Sequence, residues 1–139
     1  MAENIKITNA KIFGLWGLDI PGPLQRILTL DLEIKTSYWL SKLGVKIEKE
    51  IKLINIQRSK LIEKYKDEQT PEQIEAKELT KISPGKNLDE FNKQFLKILD
   101  METTLDIKKI DISLKDNKDV KLSAADIMML DDVINIIED

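Results

Sequence analysis

The sequence contains neither cysteine nor histidine. Without cysteine there is no disulfide, no thiolate metal site and no thiol nucleophile. Without histidine, Ser-His-Asp and Cys-His catalytic arrangements are excluded, as are imidazole zinc sites. Arginine is nearly missing, with Arg26 and Arg58 its only instances. Aromatic residues make up 5% of the chain and are not interleaved with basic ones as a base-stacking platform would be. No apolar run approaches the roughly 18 residues needed to cross a bilayer. The opening Met1-Ala2-Glu3-Asn4 lacks the basic and apolar blocks of a signal peptide. These absences lead us to expect a cytoplasmic protein without membrane contact, or one carried inside a particle assembled in a cytoplasm.

What is present points to a single domain. The 139 residues, 42% of them hydrophobic, can bury a core without a metal or a cross-link. Charged residues reach 34%, which favours long solvated helical faces, and the net charge of −3 argues against a general nucleic-acid binder. The charge is uneven. Residues 36–69 hold Lys42, Lys46, Lys49, Lys52, Arg58, Lys60, Lys64 and Lys66 against five acids. Residues 123–139 hold Asp126, Asp131, Asp132, Glu138 and Asp139 and no base. A basic central segment and an acidic end can attract one another, within one chain or between copies.

The expected fold is α+β, with a long central amphipathic helix and two shorter helices packed on a small, mostly antiparallel sheet. Residues 1–34 read as a strand- and loop-rich opening. Ile5 and Ile7 alternate with polar neighbours as in a strand, Phe13 to Leu18 reads as a loop tucking Trp16 against the core, and 28–34 alternates as a second extended segment after a helical turn. Residues 35–66 carry the strongest signal. Thr36 or Ser37 can cap a helix whose stripe is Leu40, Leu43, Ile47, Ile51, Ile54, Arg58, Leu61 and Tyr65. Lys46 with Glu50 and Glu48 with Lys52 add pairs four apart. Gly44 marks a bend or a close contact. Trp39, Val45, Leu53, Ile56 and Ile62 widen the apolar surface, so neighbours are expected on several sides. Residues 67–86 form a polar loop. Residues 87–139 read as helix, strand, helix. Asn87 caps the first, with Leu88, Phe91, Phe95, Leu96 and Leu99 inward. The strand covers 103–114 with a bulge at Lys108-Lys109. Asp116 to Asp119 is a turn. Ser123 and Asp126 open a last helix, through Ile127, Leu130, Ile134 and Ile137.

No motif commits the chain to chemistry. Ser83-Pro84-Gly85-Lys86 lacks the first glycine of a phosphate loop and the Ser or Thr after its lysine. Asp116 to Asp119 lacks the glycine and distal glutamate of a calcium loop. Asp106 and Asp111 flank the strand kink, where two carboxylates are a solvated face before they are a cation site. No catalytic residue, cofactor or metal is therefore expected. Trp16 and Trp39 stand out as contact residues because tryptophan is enriched at interface hot spots. Tyr38 adjoins Trp39, and the two cannot share one buried face. Arg58, set in the apolar stripe, and Asp131 and Asp132, at the acidic end, complete the candidate interface.

Lys35-Thr36-Ser37-Tyr38-Trp39-Leu40-Ser41-Lys42-Leu43, continued through Ile47-Glu48-Lys49-Glu50-Ile51 to Arg58-Ser59-Lys60-Leu61-Ile62-Glu63-Lys64-Tyr65, resembles a family of small phage and prophage proteins from Gram-positive hosts. Leu88-Asp89-Glu90-Phe91-Asn92-Lys93 and Leu122-Ser123-Ala124-Ala125-Asp126-Ile127-Met128-Met129-Leu130 follow the same pattern in the same order. The resemblance spans about 35–137 and leaves out the first 34 residues. It implies a phage context and supplies no catalytic residue. The expected function is a non-enzymatic one, by protein–protein contact in a virion or its assembly. The partner would be another copy in a homo-oligomer or a phage structural protein. The alternative is a host-directed inhibitor that binds a bacterial enzyme or defence protein.

Overall fold

A computed structural model describes residues 4–17, 20–75, 81–118 and 120–137. Strand β1 (Asn4–Thr8) leads directly into helix α1 (Asn9–Trp16). The segment 9–16, expected to be part strand and part loop, is thus helical, while Leu18 lies outside the described residues. Thr8 caps α1 by accepting the Lys11 N–H, and Asn9, Ile12 and Leu15 fall on one buried face. Gly17 ends the helix at φ 80°, and a Cβ there would meet the Ile20 carbonyl oxygen at 2.2 Å, so only glycine fits this turn.

Helix α2 (Pro23–Leu28) starts on its proline and buries Leu24 and Ile27. The alternation over 28–34 does not become a strand. Residues 29–33 are turn and coil, and helix α3 (Ile34–Tyr65) begins immediately after them. Its cap is Glu33, one turn ahead of the expected Thr36 or Ser37, and the carboxylate accepts the Lys35 and Thr36 N–H groups at 3.0 and 3.1 Å.

Leu40, Leu43, Ile47, Ile51 and Ile54 of α3 are buried as their spacing requires. Arg58 at the next position of that stripe is exposed, and Leu61 and Tyr65 are half-buried. Of the two expected pairs, Lys52 and Glu48 lie 3.4 Å apart, while Lys46 and Glu50 form no ion pair. Gly44 marks a close contact, since a Cβ there would come within 2.9 Å of Leu28 Cδ1.

Helix α4 (Pro71–Glu75) sits in the polar loop. That loop is closed at its base, where Asp67 accepts the Ser83 N–H at 3.0 Å and the Ser83 hydroxyl. Helix α5 (Lys86–Leu99) follows Gly85 instead of an Asn87 cap. Phe95 and Ile98 pack on the core, but Leu96 is 56% exposed and does not point inward.

Strands β2 (Glu102–Lys108) and β3 (Ile110–Ser113) follow one another across a bend at Lys109, where the burial pattern slips from Leu105 and Ile107 to Ile110 and Ile112, and each belongs to its own two-stranded sheet. β1 pairs antiparallel with β2. Helix α6 (Ala124–Leu130) opens with the capping box of Ser123 and Asp126. It ends at Leu130, and Ile134 and Ile137 belong instead to strand β4 (Ile134–Ile137), parallel to β3. β-Branched residues at 133, 134, 136 and 137 suit that outcome. Asp119, in the expected turn, lies outside the described residues.

Two buried asparagines join these parts. Asn9 donates to the Ile98 carbonyl at 2.9 Å and accepts the Thr103 hydroxyl at 2.8 Å, tying α1 to α5 and β2. Asn117 accepts the Glu33 N–H at 2.8 Å and donates to the Ser113 carbonyl at 2.9 Å, fixing the start of α3 to the turn after β3.

Candidate interaction surface

Among the described residues, no acid of the C-terminal end forms an ion pair with α3. Asp126 is gripped by both terminal nitrogens of Arg26, at 2.6 and 3.1 Å, joining α6 to α2. Asp132 lies 3.2 Å from Lys11 Nζ, joining the turn after α6 to α1. Asp131 is exposed, and Glu138 and Asp139 lie outside the described residues. Along α3, Lys42, Lys46, Lys49 and Lys60 form no ion pair with any described carboxylate.

The exposed aromatics gather at the first turns of α3. Tyr38 is 55% and Trp39 48% exposed. Their rings meet edge to face, with centroids 5.7 Å apart. Lys42 Nζ stands over both, 4.9 Å from the Tyr38 centroid and 5.0 Å from that of Trp39. The helix produces this directly, because positions three and four residues apart lie on one face. A lysine over two aromatic faces restrains both rings without burying them.

Trp39 also separates two open clefts between α3 and the bent strand. One, of about 580 Å³, runs from Lys35, Thr36 and Trp39 along Asp106 to Asp111 and reaches Asn4 of β1. The other, of about 500 Å³, lies between Tyr38, Lys42, Val45 and Lys46 on α3 and Asp106 and Ile107 on β2. Val45 is 68% exposed at its edge.

The six candidate residues divide accordingly. Tyr38 and Trp39 stand together at these clefts. Arg58 lies elsewhere, in a groove with Phe13, Phe95 and Leu99, and Asp132 lines a neighbouring groove with Met128 and Met129. Both grooves cross Ala10 and Gly14 of α1. Trp16 is half-buried against the core, and its carbonyl accepts the Gly22 N–H at 2.7 Å. Lys42 and Val45 join the Trp39 surface without having been singled out as contact residues, and so does Asp106, which the sequence offered only as a weak cation ligand. For Lys42 the signal was in the sequence, as its spacing from Tyr38 and Trp39.

The shifted ionisations have structural causes. Accepting backbone N–H groups lowers the Glu33 carboxyl, the Ser83 hydroxyl and N–H lower Asp67, and the Arg26 guanidinium lowers Asp126 while being raised in turn. These four groups belong to a cap, a loop closure and an ion pair. Asp111 accepts Asn135 Nδ2 at 3.0 Å, and Asp106 is exposed. Among the described residues no group of three or more Asp or Glu could hold a metal ion, and no helix is long and apolar enough to cross a membrane. The chain matches no known protein family, no curated protein and no solved structure.

Proposed function

We propose that this chain is a non-enzymatic binding protein that acts through the Tyr38, Trp39 and Lys42 end of α3. The observation that carries this reading is the exposed aromatic pair, restrained by Lys42 and flanked by clefts. A pre-ordered aromatic anchor loses little freedom on contact, which is how a few residues come to dominate an interface. Taken with the phage-family resemblance of residues 35–137, the role is that of a small virion or assembly component, bound to a phage structural protein or to further copies of itself. The net charge of −3 supports a second reading, a host-directed inhibitor that occludes a basic site.

The test is affinity isolation of tagged wild-type and Trp39→Ala chains from phage-producing cells, with identification of whatever is recovered in equal amount. A phage structural protein lost on substitution supports assembly. One stoichiometric host enzyme lost on substitution supports inhibition. Identical recovery by both chains removes the proposal.

A further inference from the structure

The hydrogen-bond phase of the bent strand tells which of its edges is occupied. The Asn9 N–H donates to the Met101 carbonyl at 2.9 Å, in step with the pairing of Ile7 and Thr103. That phase turns the backbone groups of Thr103 towards β1 and those of Thr104 away, and the register shifts further along, between Lys6 and Asn4. Beyond the kink, the Ile110 N–H donates to the Val133 carbonyl at 3.0 Å and the Leu114 N–H to the Ile137 carbonyl at 3.0 Å. Ile110 and Ile112 therefore face β4, and Asp111 faces away. Leu105, Ile107, Ile110 and Ile112 are all buried. Along one strand, residues that share a side-chain face also share an edge. β1 and β4 thus lie in succession on the same edge, and Asn4 and Lys6 of the one line a gap with Asp132 and Asn135 beside the other. The opposite edge carries no strand among the described residues, and the clefts around Trp39 adjoin it at Asp106.

We propose that this open edge takes an extended acidic segment of a partner protein as an added strand, with Trp39 as its apolar anchor. The inference rests on the protein-contact reading above and names the partner's chemistry. Cleft walls at this edge hold Lys35, Lys42, Lys46, Lys108 and Lys109 against Asp106 and Asp111. None of the five lysines forms an ion pair with a described carboxylate. This is a positive site on a chain of net charge −3. Pairing with an uncharged apolar strand would desolvate the charges along an open edge without compensating them, which leaves a strand of opposite charge as the one that fits. Main-chain hydrogen bonds to Thr104 and Asp111 would set the register. Alternate side chains of the added strand would meet Trp39, and its carboxylates the lysines.

The test is a displayed library of random 12-residue peptides, selected on the whole chain and counter-selected on Trp39→Ala. The best binder is then synthesised with N-methyl groups on one or the other set of alternate residues. Enriched peptides should alternate acidic and apolar residues. Methylation of one set should weaken binding at least 10-fold and methylation of the other should leave it unchanged. Lys42→Glu with Lys46→Glu should weaken it by a similar factor. Trp39-dependent binders with helical spacing, or with equal response to both methylated sets, overturn the added strand and leave the protein-contact reading standing. Binders without acidic bias overturn the charge assignment. A dimer that depends on Trp39 and blocks the selection gives the edge to a second copy and overturns the acidic partner. Absence of any Trp39-dependent binder or dimer removes both inferences.

Discussion

The two faces of α3 are made of the same kinds of residue and end in different surroundings. Leu40, Leu43, Ile47, Ile51 and Ile54 are sealed against α1, α2, α5 and β3. Trp39, Val45, Leu53 and Ile56 remain about half exposed or more. The cause is geometric. At ~1.5 Å per residue a 32-residue helix is about 48 Å long. A 139-residue globule has a radius of gyration of about 14 Å, so the sphere it fills is about 37 Å across. Among the described residues, the rest of the chain covers one side of α3 and leaves the other open. Apolar content along a helix therefore reports total demand for neighbours, and the chain's own supply decides how much is left for a partner.

Truncation on the sealed face should have the largest effect. Leu43→Ala should lower the unfolding free energy by about 2–5 kcal/mol, measured by denaturant titration, because the cavity is enclosed by packed neighbours. A loss under 1 kcal/mol would mean that this face is not the core.

The Arg26–Asp126 link is next. Asp126→Ala also removes half of the capping box, and should cost about 1–2 kcal/mol after allowance for the half-exposed guanidinium. Its pH dependence has a definite sign. The Asp126 carboxyl is lowered in the folded chain, so its contribution is complete above the unfolded value of about 3.9 and is lost as pH falls through the folded one. Asp126→Asn should therefore flatten the melting-temperature curve below about pH 4 and leave its shape above pH 6 unchanged. An equally steep acid limb in the variant would assign that limb to other carboxylates, Glu33 and Asp67 being the first to examine.

Ser123→Ala removes the other half of the box and should cost about 1 kcal/mol by the same titration. The smallest effect belongs to the open face. Trp39→Ala should change stability by no more than about 0.5 kcal/mol, as at other surface positions, while abolishing partner binding. A destabilisation comparable to that of Leu43→Ala would erase the distinction between the two faces.

Much of this contrast was legible beforehand, for reasons that differ by segment. The long helix, the kink at Lys108-Lys109 and the capping box each rest on local spacing, and local spacing survives into the fold. The segment 9–16 differs from the expected strand and loop because Ile12 and Leu15 pack it as a helix. The 134–137 stretch continued a helical period and became a strand because β3 offered it a parallel edge, a contact no local pattern announces. Asn9 and Asn117 had no signal at all, since their burial depends on partners about 80 to 90 residues away. At the candidate surface, Tyr38 and Trp39 were readable as a pair too bulky for one buried face. The strand edge beside them was not, because which edge stays open depends on how β1 and β4 share the other.

The most direct test places a photo-reactive residue at single positions along α3 in producing cells, at 38, 39 and 45 on the open face beside the bent strand and at 57 and 60 on the exposed far half. The expected result is one adduct with the same partner from 38, 39 and 45 and none from 57 or 60. Adducts confined to 57 and 60, or equal labelling at all five positions, would contradict the assignment of partner contact to the Trp39 end of the helix.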